Sequence, residues 1–507
     1  MTERGIALSP LEGKGWGGGW LLGLAAITVI RLAVAALAPL SPDEAYYWVW
    51  SRSLAAGYPD HPPMVALWIR AGTWIAGDGA LGVRLLAPLA TALGSVLLAW
   101  AGEDLLPGHG AGRSAAGVIA AALLNATLLF GIGSVTMTPD TPLLLFWTVT
   151  LWALGRLLAT GRGEWWLVAG AAAGLALSSK YTAALLLPSV GLWAVVTPAM
   201  RPWLRRWQPW AAIGIALLLF VPVLVWNADH DWASFVRQAA RVANGNTARA
   251  LQFLGEFVGG QVGLLTPLIA LLMGAGIARS IREWRNHDPG WGLLAALTLV
   301  SLTVFVEHAL GDRVQANWPA VMYPAAAIAA AGLSRRWLRL VWPGIALWLA
   351  MTALIWVQAL ASPVSLPMRW DPTLMRLGGW PAFAASVDTA RREAGAAFVA
   401  ADNYGVASVL ARLLPPDVPV LGVDPRWSLF NLPDAMPLIE GHGGLLIHSV
   451  RRESKPDSAD WSAMTVRGTI ARERGGVVAE EYRLYRVVGQ SGGEPASVMP
   501  RPASRAR

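Results

Sequence analysis

The chain contains no cysteine. Disulfides, thiolate catalysis and cysteine-based zinc sites are therefore excluded. Charge is scarce too. Only 14% of the 507 residues are Asp, Glu, Lys or Arg, against 55% hydrophobic residues. Soluble domains carry nearer a quarter charged residues, so the composition excludes a large soluble enzyme and predicts a polytopic membrane protein. No P-loop, no Rossmann glycine pattern, no Ser-His-Asp set and no internal repeat is visible. The net charge of +8 does not point to nucleic acid, because the arginines cluster in short loops between apolar runs, where they set membrane topology. Tryptophan is abundant at 28, and many of these residues flank the apolar runs, as interfacial belts do.

About twenty apolar residues are needed to cross a bilayer. Spans are predicted at 18–40, 81–101, 115–133, 141–159, 165–179, 182–198, 209–226, 257–278, 291–309, 318–333 and 341–360, or about 11 transmembrane helices. The first run resembles a signal peptide, but it is long and more spans follow it, so it reads as an uncleaved helix. Residues 1–15 read as a short cytoplasmic tail. Arg156/Arg162, Arg201/Arg205/Arg206, Arg279/Arg282/Arg285 and Arg335/Arg336/Arg339 then share one side, which should be cytoplasmic. The fold class is an all-α polytopic membrane bundle, residues 1–360, with outward loops. A small soluble α/β domain follows at 361–490. Its short apolar runs near 397–400, 418–421 and 444–447 and the alternation at 480–485 read as strands. Residues 491–507, rich in Gly, Ser, Pro and Arg, read as a disordered tail.

The polar residues left over gather on the outer side. Ser41-Pro42-Asp43-Glu44-Ala45-Tyr46-Tyr47-Trp48 follows the first span, and Gly57-Tyr58-Pro59-Asp60-His61-Pro62-Pro63 comes next. Ionisable groups at a membrane boundary are costly and point to a functional site. Asp43, with Glu44 beside it, is the candidate general base, since a carboxylate can take a hydroxyl proton while that oxygen attacks carbon. The same residues also make a good helix start. Asp60-His61 can bind a divalent ion or a phosphate, or simply form a turn. As a metal ligand, Asp60 needs a further partner, for which His230 is the candidate. Asp140 in Thr138-Pro139-Asp140 opens a span on the same face. Lys180, between two apolar runs, suits a phosphate as a point charge, and snorkelling to the interface is its other reading. The loop Trp226 to Arg241 mixes aromatics with both charge signs and reads as an interfacial helix or a cover over a site. Arg313, with Asn317 at the next span, offers a second phosphate contact. Arg31, inside the first span, reads as structural.

This residue set fits a lipid-phosphate sugar donor whose chain lies among the spans and whose sugar meets an acceptor near Asp43. The alternative is a transporter or flippase of a lipid-linked sugar, although that would place ionisable groups nearer mid-membrane. A non-catalytic scaffold is a third reading.

Asp43-Glu44-Ala45-Tyr46-Tyr47-Trp48, Gly57-Tyr58 with Asp60-His61-Pro62-Pro63, Thr138-Pro139-Asp140, Ser179-Lys180-Tyr181, and Trp226-Asn227 with His230, Trp232 and Phe235 resemble the bacterial glycosyltransferase family 39 pattern. That family lies within the GT-C group, with the protein O-mannosyltransferases and the lipid A aminoarabinose transferases. The resemblance covers roughly residues 20–335. It implies a GT-C type bundle in a bacterial inner membrane, a polyprenyl-phosphate sugar donor, inverting transfer on the periplasmic side and no nucleotide cofactor. The acceptor would be an envelope lipid, lipid A, a glycan or a protein. Asp43 would be the base, and Asp60 would lie near a divalent metal ion, for which His230 is the second ligand suggested by the residue reading above. With the residue reading above, His61, Asp140, Lys180, Tyr181, Arg313 and Asn317 are the candidate substrate contacts. The aminoarabinose transferases carry Lys where this chain has His61, and Thr-Arg where it has Ala45-Tyr46. Sugar and acceptor specificity therefore do not carry over.

Overall fold

The computed structural model describes residues 18–106, 113–243, 247–451, 456, 461–490 and 496–502. The expected amino-terminal tail lies outside these residues. The chain opens with α1 (Gly18–Leu37), then α2 (Pro42–Arg52), α3 (Met64–Ala76), α4 (Ala80–Arg84) and α5 (Leu86–Leu105). Next come α6 (Arg113–Asn125), α7 (Leu128–Gly133), α8 (Asp140–Thr160), α9 (Glu164–Leu177), α10 (Leu186–Val196), α11 (Trp207–Asp229) and α12 (Ala233–Ala243). The bundle closes with α13 (Ala250–Leu265), α14 (Pro267–Arg285), α15 (Pro289–Gly311), α16 (Tyr323–Ala331), α17 (Arg335–Leu338) and α18 (Val341–Leu360).

This is a multi-pass membrane protein. Among the described residues, six helices are long and apolar enough to cross a membrane, and two sharply bent pairs bring the number to as many as eight. The expected spans at 115–133, 165–179 and 318–333 fall on shorter apolar helices. The expected span at 257–278 is broken. Thr266 sits at φ 67° ahead of Pro267, and α13 and α14 meet there at 107°. Residues before proline are biased against helical geometry, and Thr266 leaves it here, whereas Val221 before Pro222 stays within α11.

The two ends of the bundle differ in character. At one end, Trp193 donates to the Pro289 carbonyl at 2.8 Å, Trp284 donates to Thr197 at 3.0 Å, and Arg279 donates to the Gly332 carbonyl. These bonds gather the arginine-bearing turns. At the other end, the Met64 amide donates to the Ser178 carbonyl at 3.1 Å. That bond joins the start of α3 to the residue that closes α9.

The carboxyl-terminal residues form a six-stranded sheet flanked by helices. Its elements are α19 (Pro372–Leu377), α20 (Trp380–Glu393), β1 (Phe398–Ala401), α21 (Tyr404–Leu413), β2 (Val420–Gly422), α22 (Met436–Ile439), β3 (Gly443–Ser449), β4 (Trp461–Arg474), β5 (Val477–Gln490) and β6 (Ser497–Val498). The strand order is β4-β5-β3-β1-β2-β6. β1 runs parallel to β2 and β3, while β4, β5 and β6 pair antiparallel. The strand expectations at 397–400, 418–421, 444–447 and 480–485 fall on β1, β2, β3 and β5. β6 lies inside the stretch expected to be disordered, where Leu421 and Gly422 of β2 pair with it. Residues 491–495 and 503–507 of that stretch lie outside the described ones.

This sheet domain does not hang free of the bundle. Trp48, Val49 and Trp50 of α2 and Val65 and Ile69 of α3 share one buried cluster with Phe383, Val406, Leu410, Val420 and Leu445. Gly405 at the start of α21 is held against Pro42, since a Cβ there would lie 2.8 Å from the Pro42 Cβ.

Candidate active site

The site begins with the capping of α2. Ser41 precedes Pro42, and its hydroxyl accepts from the Glu44 amide at 3.3 Å while Glu44 reaches back to the Ser41 amide at 3.0 Å. This reciprocal capping box satisfies two helix-end donors. Glu44 is fully buried. Its oxygens also receive Arg84 Nε at 2.6 Å, Arg84 Nη2 at 2.7 Å and the Met137 amide at 3.1 Å. Arg84 spends its other hydrogens on the carbonyls of Ala35, Ala38 and Pro39. Burial pushes the Glu44 carboxyl up, but the Arg84 charge and the hydrogen bonds from Arg84, Ser41 and Met137 outweigh it and hold it below the ordinary value. Glu44 therefore ties the ends of α1 and α4 and the approach to α8 to α2. None of its oxygens is left for proton transfer.

Asp43 points the other way. Its side chain is 39% exposed. The Tyr404 hydroxyl donates to Oδ1 at 3.1 Å, and Arg376 approaches Oδ2 at 3.4 Å. Both partners come from the sheet domain. Asp60, by contrast, is buried among donors. Tyr46 donates to Oδ2 at 3.0 Å, Arg426 to Oδ2 at 3.3 Å, and Arg237 Nε lies 3.0 Å from Oδ1. Gln238 of α12 donates to the Asp60 carbonyl at 2.9 Å. Burial, and then the Asp60 charge, raise the Tyr46 hydroxyl well above its usual range, and burial with the Asp43 charge does the same for Tyr404. Both phenols stay protonated donors. Burial works against the Arg426 charge, but the Asp424 and Asp60 carboxylates outweigh it and hold the guanidinium above its ordinary value.

A third group lies across the bundle end. Lys180 Nζ donates to both oxygens of Asp140, at 2.7 and 2.9 Å, and Asn317 donates to Oδ2 at 2.7 Å. Asp140 and Asn317 also line a cavity of about 250 Å³. Its walls are mostly apolar: Leu129, Phe130, Leu144, Leu145 and Leu264, with Gly94 and Thr148 deeper along α5 and α8. Backbone bonds stitch the groups together. Met137, on Glu44, is three residues from Asp140, and Ser178, on Met64, is two from Lys180. Tyr181 bonds Ser234, which donates to Asn227 at 2.5 Å. Gly57 lies beneath Trp226, where a Cβ would come within 2.6 Å of the indole.

The motifs singled out in the sequence thus meet at one end of the bundle, with one exception. Arg313 sits on the surface, its side chain 63% exposed, and pairs with Glu256 at 2.6 and 3.0 Å. His61 is half-buried, with its ring 6.3 Å from that of Tyr47. His230 caps the end of α11, where its ring stacks on Trp226 and Nδ1 lies 2.7 Å from the Trp226 carbonyl. The residues expected at a metal do not fit one as placed. The Asp60 carboxylate faces two guanidinium groups, and among the described residues no three His, Asp or Glu side chains converge. Tyr46 and Arg237 lie in segments that the sequence singled out, without a role of their own, and Arg84, Arg376, Tyr404 and Arg426 were missed. Arg84 gave one signal, a lone charge at the head of an apolar run. The last two gave none.

Residues 60–226 match the dolichyl-phosphate-mannose-protein mannosyltransferase family. The chain is 30% identical to a lipid A galacturonosyltransferase of Rhizobium johnstonii over 59% of its own length and 61% of the relative's. It is 28% identical to the undecaprenyl phosphate-alpha-4-amino-4-deoxy-L-arabinose arabinosyl transferase of Edwardsiella ictaluri, over 48% of its length and 47% of the relative's. The chain therefore spans less than two thirds of either relative. Among solved structures, ArnT from Cupriavidus metallidurans bound to undecaprenyl phosphate superposes with a TM-score of 0.59 at 13% identity, covering 94% of this chain and 100% of that one. The chain has the GT-C type fold seen in ArnT, and its residues 60–226 match the dolichyl-phosphate-mannose-protein mannosyltransferase family.

Proposed function

We propose that this protein is a membrane glycosyltransferase that moves a sugar, with inversion, from a polyprenyl-phosphate donor to an envelope acceptor. The observation that carries this reading is the apolar cavity lined in part by Asp140 and Asn317 at the same end of the bundle as Asp43 and Asp60. That arrangement suits a lipid whose head is charged and whose tail is not. At about 250 Å³ the cavity is smaller than the roughly 300–1,000 Å³ of a drug-sized ligand site, so it would hold the head-proximal units of the chain. The names of the Edwardsiella and Rhizobium relatives support an undecaprenyl-type donor and a lipid A-type acceptor. Such a donor requires no nucleotide. Arginine-rich turns at the opposite end support a site on the periplasmic face of a bacterial inner membrane, with the amino terminus cytoplasmic. The bundle ends near residue 360, and the sheet domain follows on the periplasmic side.

In the reaction, Asp43 takes the proton of the acceptor hydroxyl through its open carboxylate face. The acceptor oxygen forms a bond to the anomeric carbon. The bond from that carbon to the phosphate oxygen breaks, and the electron pair leaves with the polyprenyl phosphate. Arg237 and Arg376, both open to solvent, meet the charge that develops on the phosphate. Lys180 and Asn317 hold Asp140, which lines the lipid cavity.

Purified protein in proteoliposomes, given polyprenyl-phosphate-linked galacturonic acid or aminoarabinose and lipid A, tests the reading. It predicts glycosylated lipid A with the anomeric configuration inverted. Movement of the donor across the bilayer with no glycosidic product would favour a flippase instead.

A further inference from the structure

In an open parallel sheet, ligands usually sit outside the carboxyl ends of the strands. Here β1 leads into Asp402-Asn403-Tyr404, and β2 leads through Asp424 to Arg426. That edge is covered by α2 of the membrane bundle. Tyr404 lies with its ring centroid 4.5 Å from that of Tyr46 and donates to Asp43. The Arg426 guanidinium lies 4.0 Å from the Tyr404 ring centroid, and its Nε donates to Asp424 at 3.0 Å while Nη1 reaches Asp60. The side chain of Arg426 is 11% exposed. Its stack fixes the Tyr404 ring, and that ring's hydroxyl fixes one oxygen of Asp43. Asn403 sets the direction of α21 by capping it, accepting from the Gly405 and Val406 amides at 2.9 and 3.2 Å.

We propose that the carboxyl-terminal sheet domain completes the transfer site, with Tyr404 and Arg426 as positioning residues that hold Asp43 and Asp60 of the membrane bundle. This rests on the transferase reading above. Tyr404 occupies Oδ1 of Asp43 and leaves Oδ2 turned toward Arg376, so the proton-accepting oxygen is selected by a residue 361 positions away in the chain. Arg426 holds Asp60 from one side while Arg237 holds it from the other, which sets α12 and the sheet domain in register over the first outer loop.

The test is steady-state transfer from a polyprenyl-phosphate sugar by full-length wild type, Tyr404→Phe, Arg426→Met and Arg426→Lys, with the melting temperature of each. Tyr404→Phe keeps the ring and removes one hydroxyl. Losing a hydrogen bond to a charged group predicts a fall in kcat of about 10- to 100-fold, with donor KM and melting temperature unchanged. Arg426→Met should lower kcat similarly, and Arg426→Lys should recover part of it, because the charge returns without the planar fork. Wild-type kcat in both Tyr404→Phe and Arg426→Met would overturn the proposal. If Arg426→Met does not fold, Tyr404→Phe decides alone. A wild type without transfer activity would instead overturn the transferase reading itself.

Discussion

Glu44 meets Arg84 in a buried, two-pronged ion pair at 2.6 and 2.7 Å, next door to an aspartate that is open to solvent. Two adjacent acids on one helix turn thus have opposite settings. Glu44 is spent on structure, and its rigidity fixes the direction in which Asp43 points.

Breaking that pair should be costly. Removing one partner of a buried ion pair destabilises by about 3–5 kcal/mol, because the other charge is left uncompensated. Glu44→Gln should therefore lower the melting temperature in detergent markedly, and Arg84→Met should do the same. A wild-type melting temperature in either variant contradicts the assignment.

The same pair sets an acid limit. The Glu44 carboxyl titrates below its ordinary value in the folded protein, so its stabilisation is complete above the unfolded-chain value near about pH 4.3 and is lost as the pH falls through the folded value. Thermal melts taken from pH 6 downward, on a scale of about one pH unit per step, should show a steeper acid decline in wild type than in Glu44→Gln.

Asp60 faces arginines where a metal was expected. Chelators should then leave transfer unchanged, whereas Asp60→Asn, which weakens the hold on Arg237 and Arg426, should lower it. Rate measurements with and without EDTA separate the two. Loss of transfer on chelation, restored by one divalent ion, contradicts this arrangement.

Lys180 and Arg313 should part company. Lys180 is buried on Asp140, which lines the cavity, whereas Arg313 is exposed on Glu256. Lys180→Met should reduce both expression of folded protein and transfer. Arg313→Ala should transfer like wild type, since exposed pairs contribute little.

Filling the cavity should discriminate by donor length. Gly94 lines it, with only Leu145 near an added Cβ, at 3.7 Å. Gly94→Leu should raise KM for a long-chain polyprenyl donor and leave KM for a short, soluble analogue unchanged. Equal effects on both donors would remove the cavity from the lipid path.

Much of this was legible in the sequence because membrane segments obey a strong rule. Long apolar runs must be helical, and the charges left over mark the ends. Asp43, Asp60, Asp140 and Lys180 stood out for that reason. The expected span at 257–278 is broken at Thr266-Pro267, and because Val221-Pro222 leaves α11 continuous, an X-Pro pair alone did not mark the break. The contributions of Tyr404 and Arg426 were illegible for another reason. Their sequence neighbourhood is that of an ordinary strand-to-helix turn, and only tertiary packing brings them beside acids more than 300 positions away. Arg313 pairs with Glu256, a partner that the sequence did not reveal, because a basic residue near a span end looks the same whether it faces a site or an acid on another helix.

The central claim is that Asp43 is the base of a transfer reaction on a lipid-linked sugar. Its most direct test is Asp43→Asn in proteoliposomes, assayed with a labelled polyprenyl-phosphate sugar beside wild type. The account predicts a variant with the wild-type melting temperature, donor binding intact and no transferred label. Transfer by Asp43→Asn at the wild-type rate would contradict it.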